Sequence, residues 1–468
     1  MVFSSTEFLC FFLPIVLMLY YLCRRNRTLS NVVLTVMSLL FYAWGEPTFV
    51  LVMLASIFIN WLAARVIDGN RERPRARKLA LIAGLVLDVG MLAVFKYLSF
   101  FVRNLNGAFS LNLPDPQLAL PIGISFFTFQ AISYIVDVYR GHGEAQKHFL
   151  GVCLYISFFP QLIAGPIVRY ETVAAEIKGR TETLDDFTEG ARRFMVGLSK
   201  KAILANSLAL IVDSIFALSP EKVSVAMSWY AAIAYLMQVY YDFSGYSDMA
   251  IGLGHLFGFH FLENFEHPYE SRTVTEFWRR WHISLSTWFR EYVYIPLGGN
   301  RHGKARQILN LAIVWFLTGL WHGASWNFVL WGMYYAVLLI LEKLFLLRWL
   351  DKAPRFVGHL YTILCFIMGW VLFAITDFSQ LGQYLSAMFT ATFADGTALY
   401  LLRSNAVLLV LAAVGCTTGP LRLWNRVEAR LSDTAAVTLR TVGVVVLLLL
   451  SIAFLVGDSY NPFLYFRF

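Results

Sequence analysis

Ile308-Leu-Asn-Leu-Ala-Ile-Val-Trp-Phe-Leu-Thr-Gly-Leu-Trp321 is followed by His322-Gly323-Ala324-Ser325 and then by Trp326-Asn-Phe-Val-Leu-Trp-Gly-Met-Tyr-Tyr-Ala-Val-Leu-Leu-Ile-Leu341. Two apolar arms of membrane-helix character therefore meet at a histidine. A helix needs about 20 predominantly apolar residues to cross the hydrocarbon core. An ionisable imidazole at that depth is costly and marks a functional site by default. Forty residues upstream, His282 lies in Phe277-Trp-Arg-Arg-Trp-His-Ile-Ser-Leu-Ser-Thr-Trp-Phe-Arg-Glu-Tyr-Val-Tyr-Ile-Pro-Leu-Gly-Gly299. Together the two segments point to proton-transfer chemistry inside a bilayer.

The rest of the chain has the same character. Its 468 residues are 58% hydrophobic and 15% charged, with a mean hydropathy of +0.61. A soluble domain carries about 25% charged residues. The fold class is an all-α polytopic membrane protein; a β-barrel is excluded because its strands are short and alternate apolar with polar. The net charge of +8 lies in loops between apolar runs, as topology-setting charge does. Attraction of an anionic soluble substrate is a second use open to such charge. No nucleic-acid motif is present, and membrane lipid is the surrounding partner. The five cysteines, Cys10, Cys23, Cys153, Cys365 and Cys416, show no CxxC spacing and read as small buried hydrophobes.

Met1 to Cys10 lacks the basic region of a cleavable signal peptide, so Phe8 to Cys23, followed by Arg24, Arg25 and Arg27, reads as a retained first span. Further spans are expected at Leu29 to Trp44, Phe49 to Val66, Leu79 to Val102 and Leu118 to Val138. Phe149 to Val168 contains Pro160, Gly165 and Pro166 and is expected to be re-entrant or broken, leaving the basic residues of Arg169 to Lys201 on the cytoplasmic side. Such backbone is tolerated at depth only where protein or a water-filled cavity surrounds it. Asp185 to Ala202 reads as an amphipathic surface helix, with spans to follow at Ile203 to Leu218 and Val225 to Val239. Tyr240-Tyr-Asp-Phe-Ser-Gly-Tyr-Ser-Asp-Met249 is expected to interrupt the apolar pattern, leaving Ala250 to Phe261 too short to span alone. Glu263 to Gln307 is the long polar-aromatic cytoplasmic segment. Spans at Ile308 to Leu320, Asn327 to Leu347, Val357 to Ala374, Leu399 to Val414 and Val437 to Val456 bring the total to about eleven or twelve. Residues 1–468 are expected to form a single membrane domain, with a motif-bearing core at about 118–345.

His322 is the first candidate for chemistry. Burial disfavours imidazolium, and a neutral ring suits general-base work near neutral pH. The alternative is a histidine bonded to a backbone carbonyl and serving helix packing. Gly323 and Ala324 leave room for a substrate, and Trp321 and Trp326 either wall the site against water or pack. Around His282, helical spacing places Trp278, Trp281, Leu285 and Trp288 on one face and Arg279, His282 and Ser286 on another. That pattern reads either as an interfacial aromatic belt with snorkelling arginines or as a cytoplasmic helix whose Arg279 and Arg280 bind phosphates. Asp242 and Asp248 form an isolated acidic pair: one orients a histidine or pairs with an arginine, or both satisfy backbone at a helix break. Gly298-Gly299 and Gly252-Leu-Gly254 read as turn or close-packing glycines. Walker and GxSxG motifs are absent, and the sequence shows no metal-ligand cluster, so no metal and no bound cofactor is expected.

The combination resembles the membrane-bound O-acyltransferase (MBOAT) family and, within it, the bacterial alginate O-acetyltransferases. The resemblance rests on Met1-Val-Phe-Ser-Ser-Thr-Glu-Phe-Leu, Leu120-Pro-Ile-Gly-Ile-Ser-Phe-Phe, Tyr134-Ile-Val-Asp-Val-Tyr-Arg-Gly, Phe159-Pro-Gln-Leu-Ile-Ala-Gly-Pro, Asp242-Phe-Ser-Gly-Tyr-Ser-Asp-Met-Ala-Ile-Gly-Leu-Gly, Glu276-Phe-Trp-Arg-Arg-Trp-His-Ile-Ser-Leu-Ser-Thr-Trp and Gly319-Leu-Trp-His-Gly-Ala. It covers roughly Met1 to Ile375. The resemblance implies tilted helices around a funnel with a thinned centre, His322 as the family's invariant histidine and His282 as its second. It implies a cytoplasmic acyl donor, acetyl-CoA, and delivery of acetyl across the bacterial inner membrane. It also implies a periplasmic partner of the SGNH-hydrolase type. Acetylated alginate, acetylated cellulose or another exopolysaccharide is the implied product, and the short C-terminal end makes cellulose a candidate. Two readings of other classes stand beside it. One is a transporter or flippase, suggested by broken helices at Pro160, Gly165 and Gly245; the other is a scaffold subunit of an exopolysaccharide machine.

Overall fold

A computed structural model describes residues 1–457 and Phe463. The described chain is helical, apart from turns, loops and one isolated antiparallel bridge between Phe265 and Trp281. Seven helices are individually long and apolar enough to cross a membrane: Arg27–Gly45, Phe49–Gly69, Pro74–Phe109, Leu184–Phe216, Trp326–Leu350, Arg355–Ala374 and Asp433–Gly457. Gly396–Ser404 and Ala406–Gly415, bent by 59° at their junction, would make an eighth. The remaining expected spans are shorter or carry more polar residues. The segment expected at Leu118 to Val138, for example, becomes helical only at Ile124. Pro121 precedes it, and Gly123 sits at a left-handed φ of 75° against the Leu162 carbonyl, where a Cβ would come within 2.8 Å. Phe149 to Val168 is broken, with helices at Phe149–Ser157 and Phe159–Leu162 and non-helical chain beyond.

The described residues fall into two compact units. One contains Met1–Phe194 and Tyr246–Glu263; the other contains Met195–Gly245 and Asn264–Phe468. In the first, α1 (Tyr170–Lys178) is followed by the start of α2 (Leu184–Phe216). The expected boundary between a surface helix and a separate span at Ile203 does not exist. A widened turn at Lys200–Ala205 carries α2 straight through.

A second correction concerns α3 (Val225–Leu256), 32 residues of uninterrupted helix. The polar stretch from Tyr240 to Met249 does not break it, and Gly245 is not a hinge. The acidic groups find partners on a neighbouring helix, so unwinding is not needed to satisfy them. Asp242 meets the Lys201 ammonium at 2.5 Å, and Asp248 meets Arg193 at 2.9 Å. Gly245 serves close packing, since a Cβ there would lie 2.8 Å from the Gly197 carbonyl oxygen. α3 ends in a Schellman turn: Gly258 N–H donates to the His255 carbonyl and Phe259 N–H to the Gly254 carbonyl, with Gly258 at φ 74°.

In the second unit, α4 (Val274–Arg280) and α5 (Ile283–Phe289) precede a helical hairpin of α6 (Gly303–His322) and α7 (Trp326–Leu350); α8 is Arg355–Ala374. Small residues let α6 and α7 approach closely. A Cβ on Gly319 would come 2.4 Å from the Phe328 carbonyl oxygen, and one on Gly332 would come 2.4 Å from that of Trp315. The hairpin packs into an aromatic core with Phe277, Trp281, Trp315, Trp331, Tyr335, Phe366 and Trp370. α4 is anchored to α7 by the buried Glu342. Its carboxylate accepts from Val274 N–H at 2.6 Å, Thr275 N–H at 2.8 Å and Thr275 Oγ1–H at 2.6 Å. A negative charge on otherwise orphaned N-terminal N–H groups is the favourable pairing at a helix start.

Two outcomes follow for purified protein. Gly332→Ala overpacks the hairpin and should lower stability by about 1–3 kcal/mol, read as a lower thermal midpoint. Gly443→Ala, where nothing lies within 4 Å of the added carbon, should not lower the midpoint. Glu342→Ala strands the buried Val274 N–H and the half-buried Thr275 N–H at the start of α4 and should cost about 1.5–3 kcal/mol, measured the same way. A wild-type midpoint for Glu342→Ala would show that α4 does not depend on this anchor.

Candidate functional site

The sequence pattern Phe277-Trp-Arg-Arg-Trp-His-Ile-Ser suggests one continuous helix, and the structure breaks it. α4 stops at Arg280, Trp281 is extended, and His282 adopts φ 46°, ψ 54° before α5 begins. A left-handed conformation costs a non-glycine residue roughly 1–2 kcal/mol, so the surroundings must hold it. They do so by local strand-like pairing. Glu266 N–H donates to the Arg280 carbonyl at 2.9 Å and Ile283 N–H to the Asn264 carbonyl at 3.1 Å, on either side of the Phe265–Trp281 bridge.

This pairing delivers Asn264, a residue not singled out in the sequence, to His282. His282 occupies the N-cap position of α5, yet its own side chain caps nothing. Asn264 Oδ1 takes the capping role, accepting from Ser284 N–H at 3.2 Å and Ser284 Oγ–H at 2.9 Å. Those donors fix the orientation of the amide. The same oxygen lies 3.3 Å from His282 Nδ1, so Nδ1 carries the proton and Nε2 carries the lone pair. The imidazole is 2% exposed, and Nε2 is buried with no hydrogen-bond partner among the described residues. Burial pulls its pKa down, which keeps the ring neutral at physiological pH.

His322 ends α6, where the chain turns through Gly323 into α7. It is half-buried. Its ring meets Trp331 edge-on at 4.8 Å and Phe373 at 5.4 Å between centroids. The close approach of α6 and α7 at Gly319 and Gly332 sets this geometry. Gly323 packs against the Phe328 ring, where a Cβ would come within 2.3 Å. Trp321 joins the two histidines: its buried indole lies 5.9 Å from the His282 ring and 5.0 Å from the His322 ring. Two imidazoles flank one indole in an aromatic core, an arrangement that offers ring nitrogens to accept a proton or a hydrogen bond.

The other candidates lie differently. Trp281 is spent on packing, stacked on Phe277 and set 5.1 Å from Trp370. The expected shared face of Arg279, His282 and Ser286 is dissolved by the break at Trp281. Arg279 is exposed, whereas Arg280 pairs with Glu276 at 2.8 Å. Asp242, 5% exposed, and Lys201, 3% exposed, neutralise each other. Asp248 shares Arg193 with Glu263 in the first unit. Trp326 is exposed.

The model of the membrane-bound O-acyltransferase family matches residues 8–382. A probable alginate O-acetylase AlgI of Pseudomonas putida is 40% identical, with 100% of each chain covered. Another, from Pseudomonas syringae pv. tomato, is 43% identical over 83% of this chain and 75% of its own. A peptidoglycan O-acetyltransferase of Helicobacter pylori is 32% identical over 83% of this chain and 80% of its own. With seven or more apolar helices long enough to cross a membrane, the chain is a multi-pass membrane protein; it belongs to the membrane-bound O-acyltransferase family and is an O-acyltransferase.

Proposed function

We propose that this enzyme moves acetyl from a cytoplasmic thioester, acetyl-CoA or an equivalent, across the bacterial inner membrane for O-acetylation of an exopolysaccharide, alginate or cellulose. A periplasmic SGNH-type partner completes the transfer, and residues 1–468 act as one functional domain around a core at about 118–345. The observation that carries the reading is the pair of imidazoles sharing Trp321. The names of its relatives, alginate O-acetylase and peptidoglycan O-acetyltransferase, support acetyl as the group and a polysaccharide as the acceptor.

The chemistry divides between the histidines. His322 accepts the proton of the acceptor hydroxyl as its oxygen attacks the thioester carbonyl; the C–S bond then breaks and the thiol leaves protonated. His282 is less suited to stabilising the oxyanion. That role needs an N–H donor, and its proton is held at Nδ1 by Asn264. Its buried Nε2 instead accepts a hydrogen bond from an N–H or O–H of the bound substrate and positions it. Arg279, exposed near the start of this segment, is the better placed of the two arginines for donor phosphates, because Arg280 is engaged by Glu276. Asp242 and Asp248 act indirectly, through the cations they neutralise.

The direct test is exopolysaccharide acetyl content in cells making wild type, His322→Ala or His282→Ala at matched membrane levels. Loss of a general base should reduce transfer by about 10²–10⁴-fold, leaving unacetylated polymer of unchanged amount. Full acetylation by His322→Ala would remove this mechanism and bring forward a transporter or scaffold. Asn264 gives a second test. Asn264→Ala frees the imidazole and should cost about 1–3 kcal/mol of positioning, roughly one to two powers of ten in rate. Asn264→Asp keeps an acceptor for Nδ1–H and should retain more activity than the alanine variant. Its carboxylate favours imidazolium, so the acid limb of the rate–pH profile should move to higher pH. An unshifted limb would mean that the protonation state of His282 does not limit transfer.

A further inference from the structure

We propose that Asp186, His255 and His260 form a binding site for a divalent ion of the zinc class, apart from the histidines of acyl transfer. All three lie in the first unit. One ligand atom from each falls within 4.8 Å of the others. The sequence conceals this cluster because Asp186 is some seventy residues from the histidines.

Three packing features build it. Asp186 is in the first turn of α2, and His255 is in the last turn of α3. The two helices are pressed together between them at Gly190 and Gly252, where a Cβ on either would meet the other's carbonyl oxygen at 2.7 and 2.6 Å. The Schellman turn at Gly258 then folds the chain back, so that His260 meets His255 edge-on with ring centroids 4.9 Å apart.

The donor atoms are pre-aimed. Thr183 Oγ1–H donates to Asp186 Oδ2 at 2.6 Å, leaving Oδ1 toward the imidazoles. Oδ1 lies 3.2 Å from His260 Nε2 and 3.7 Å from His255 Nδ1. Ligands about 2.0–2.1 Å from a tetrahedral zinc ion are about 3.3–3.4 Å apart, between those two separations. Glu176 on α1 accepts from His260 N–H through Oε2 at 3.2 Å and meets His260 Nδ1 through Oε1 at 2.8 Å. A carboxylate on the far nitrogen of a metal-binding histidine fixes its tautomer and ring orientation. With Nδ1–H committed to Glu176, a neutral His260 turns its Nε2 lone pair toward the Asp186 carboxylate, a pairing that either a proton on Nε2 or a metal ion between the two satisfies. A proton would satisfy that pair but leave His255 Nδ1, which is buried with no hydrogen-bond partner among the described residues. A metal ion satisfies all three atoms at once.

One carboxylate and two imidazoles favour zinc over magnesium or calcium, which prefer all-oxygen sets. The side chains are 22%, 19% and 48% exposed for Asp186, His255 and His260, so water can take the fourth position. An ion there would tie the start of α2 to the end of α3 and to the loop behind it.

The experiment uses tag-free, full-length protein in detergent, stripped with EDTA and titrated with Zn²⁺ by calorimetry, with bound metal counted by mass spectrometry. One equivalent should bind, the thermal midpoint should rise with Zn²⁺, and EDTA should reverse the rise. Asp186→Asn and His260→Gln should lose both the equivalent and the thermal response, and Glu176→Gln should weaken binding by about 10–100-fold. His302→Gln, outside the cluster, should behave as wild type. Should Asp186→Asn fail to fold, the half-exposed His260→Gln decides alone. No Zn²⁺ bound by folded wild type, binding unchanged in His260→Gln, or a thiolate charge-transfer band on Co²⁺ substitution assigning the metal to cysteine would each overturn the site. Acetyl transfer is not the readout, so this site and the acetyl-transfer mechanism stand or fall separately.

Discussion

A helix can be broken within a buried core only if something else takes up the backbone groups that the break releases. At His282 that constraint is met by three residues, Asn264 to Glu266, which pair with Arg280 to Ile283. The placement of His282 follows from this substitution of partners. The break turns His282 inward instead of leaving it on a face with the exposed Arg279. The paired strand brings Asn264 close enough to cap α5 and to fix the imidazole tautomer with the same oxygen. Glu342 performs the complementary task at the other end of α4, so a seven-residue helix that could not persist alone is held at both termini.

The sequence makes the membrane character and most helix positions legible, because these depend on local composition, and it singles out the two histidines whose rings flank Trp321. Hydrophobic length identifies Arg355–Ala374 or Asp433–Gly457 without tertiary information. Pro160 and Gly165 announce the broken segment after Phe149. What it misjudges is continuity. Tyr240 to Met249 looks like an interruption only if its carboxylates must find backbone partners; Lys201 and Arg193 supply charge partners, and α3 runs on. The reverse error occurs at Trp278 to Trp288, where helical spacing of aromatic residues reads as one helix and long-range pairing makes two. Asn264 offers no local signal at all: a single amide in a polar-aromatic loop becomes informative only when Trp281 is placed beside Phe265. Asp186, His255 and His260 are hidden for the same reason.

Glycine has two separate uses in this chain. At Gly319, Gly332, Gly190 and Gly252 it permits backbones to touch, and any Cβ would collide with a carbonyl oxygen. At Gly258 its value is a positive φ, which reverses the chain after α3. The first use sets the distance between helices and, through α6 and α7, the wall of aromatic rings around His322. The second sets direction, returning His260 over the helix it has just left.

The Lys201–Asp242 pair has an electrical consequence. A lone charge near the middle of a span feels the transmembrane voltage, at about 2.3 kcal/mol per elementary charge per 100 mV. Lys201 lies midway along α2, but its charge is cancelled 2.5 Å away by Asp242 on α3. The pair moves as a unit of zero net charge, so de-energising the membrane exerts no net force on it. These two helices are held together by an ion pair that is blind to the cell's energetic state.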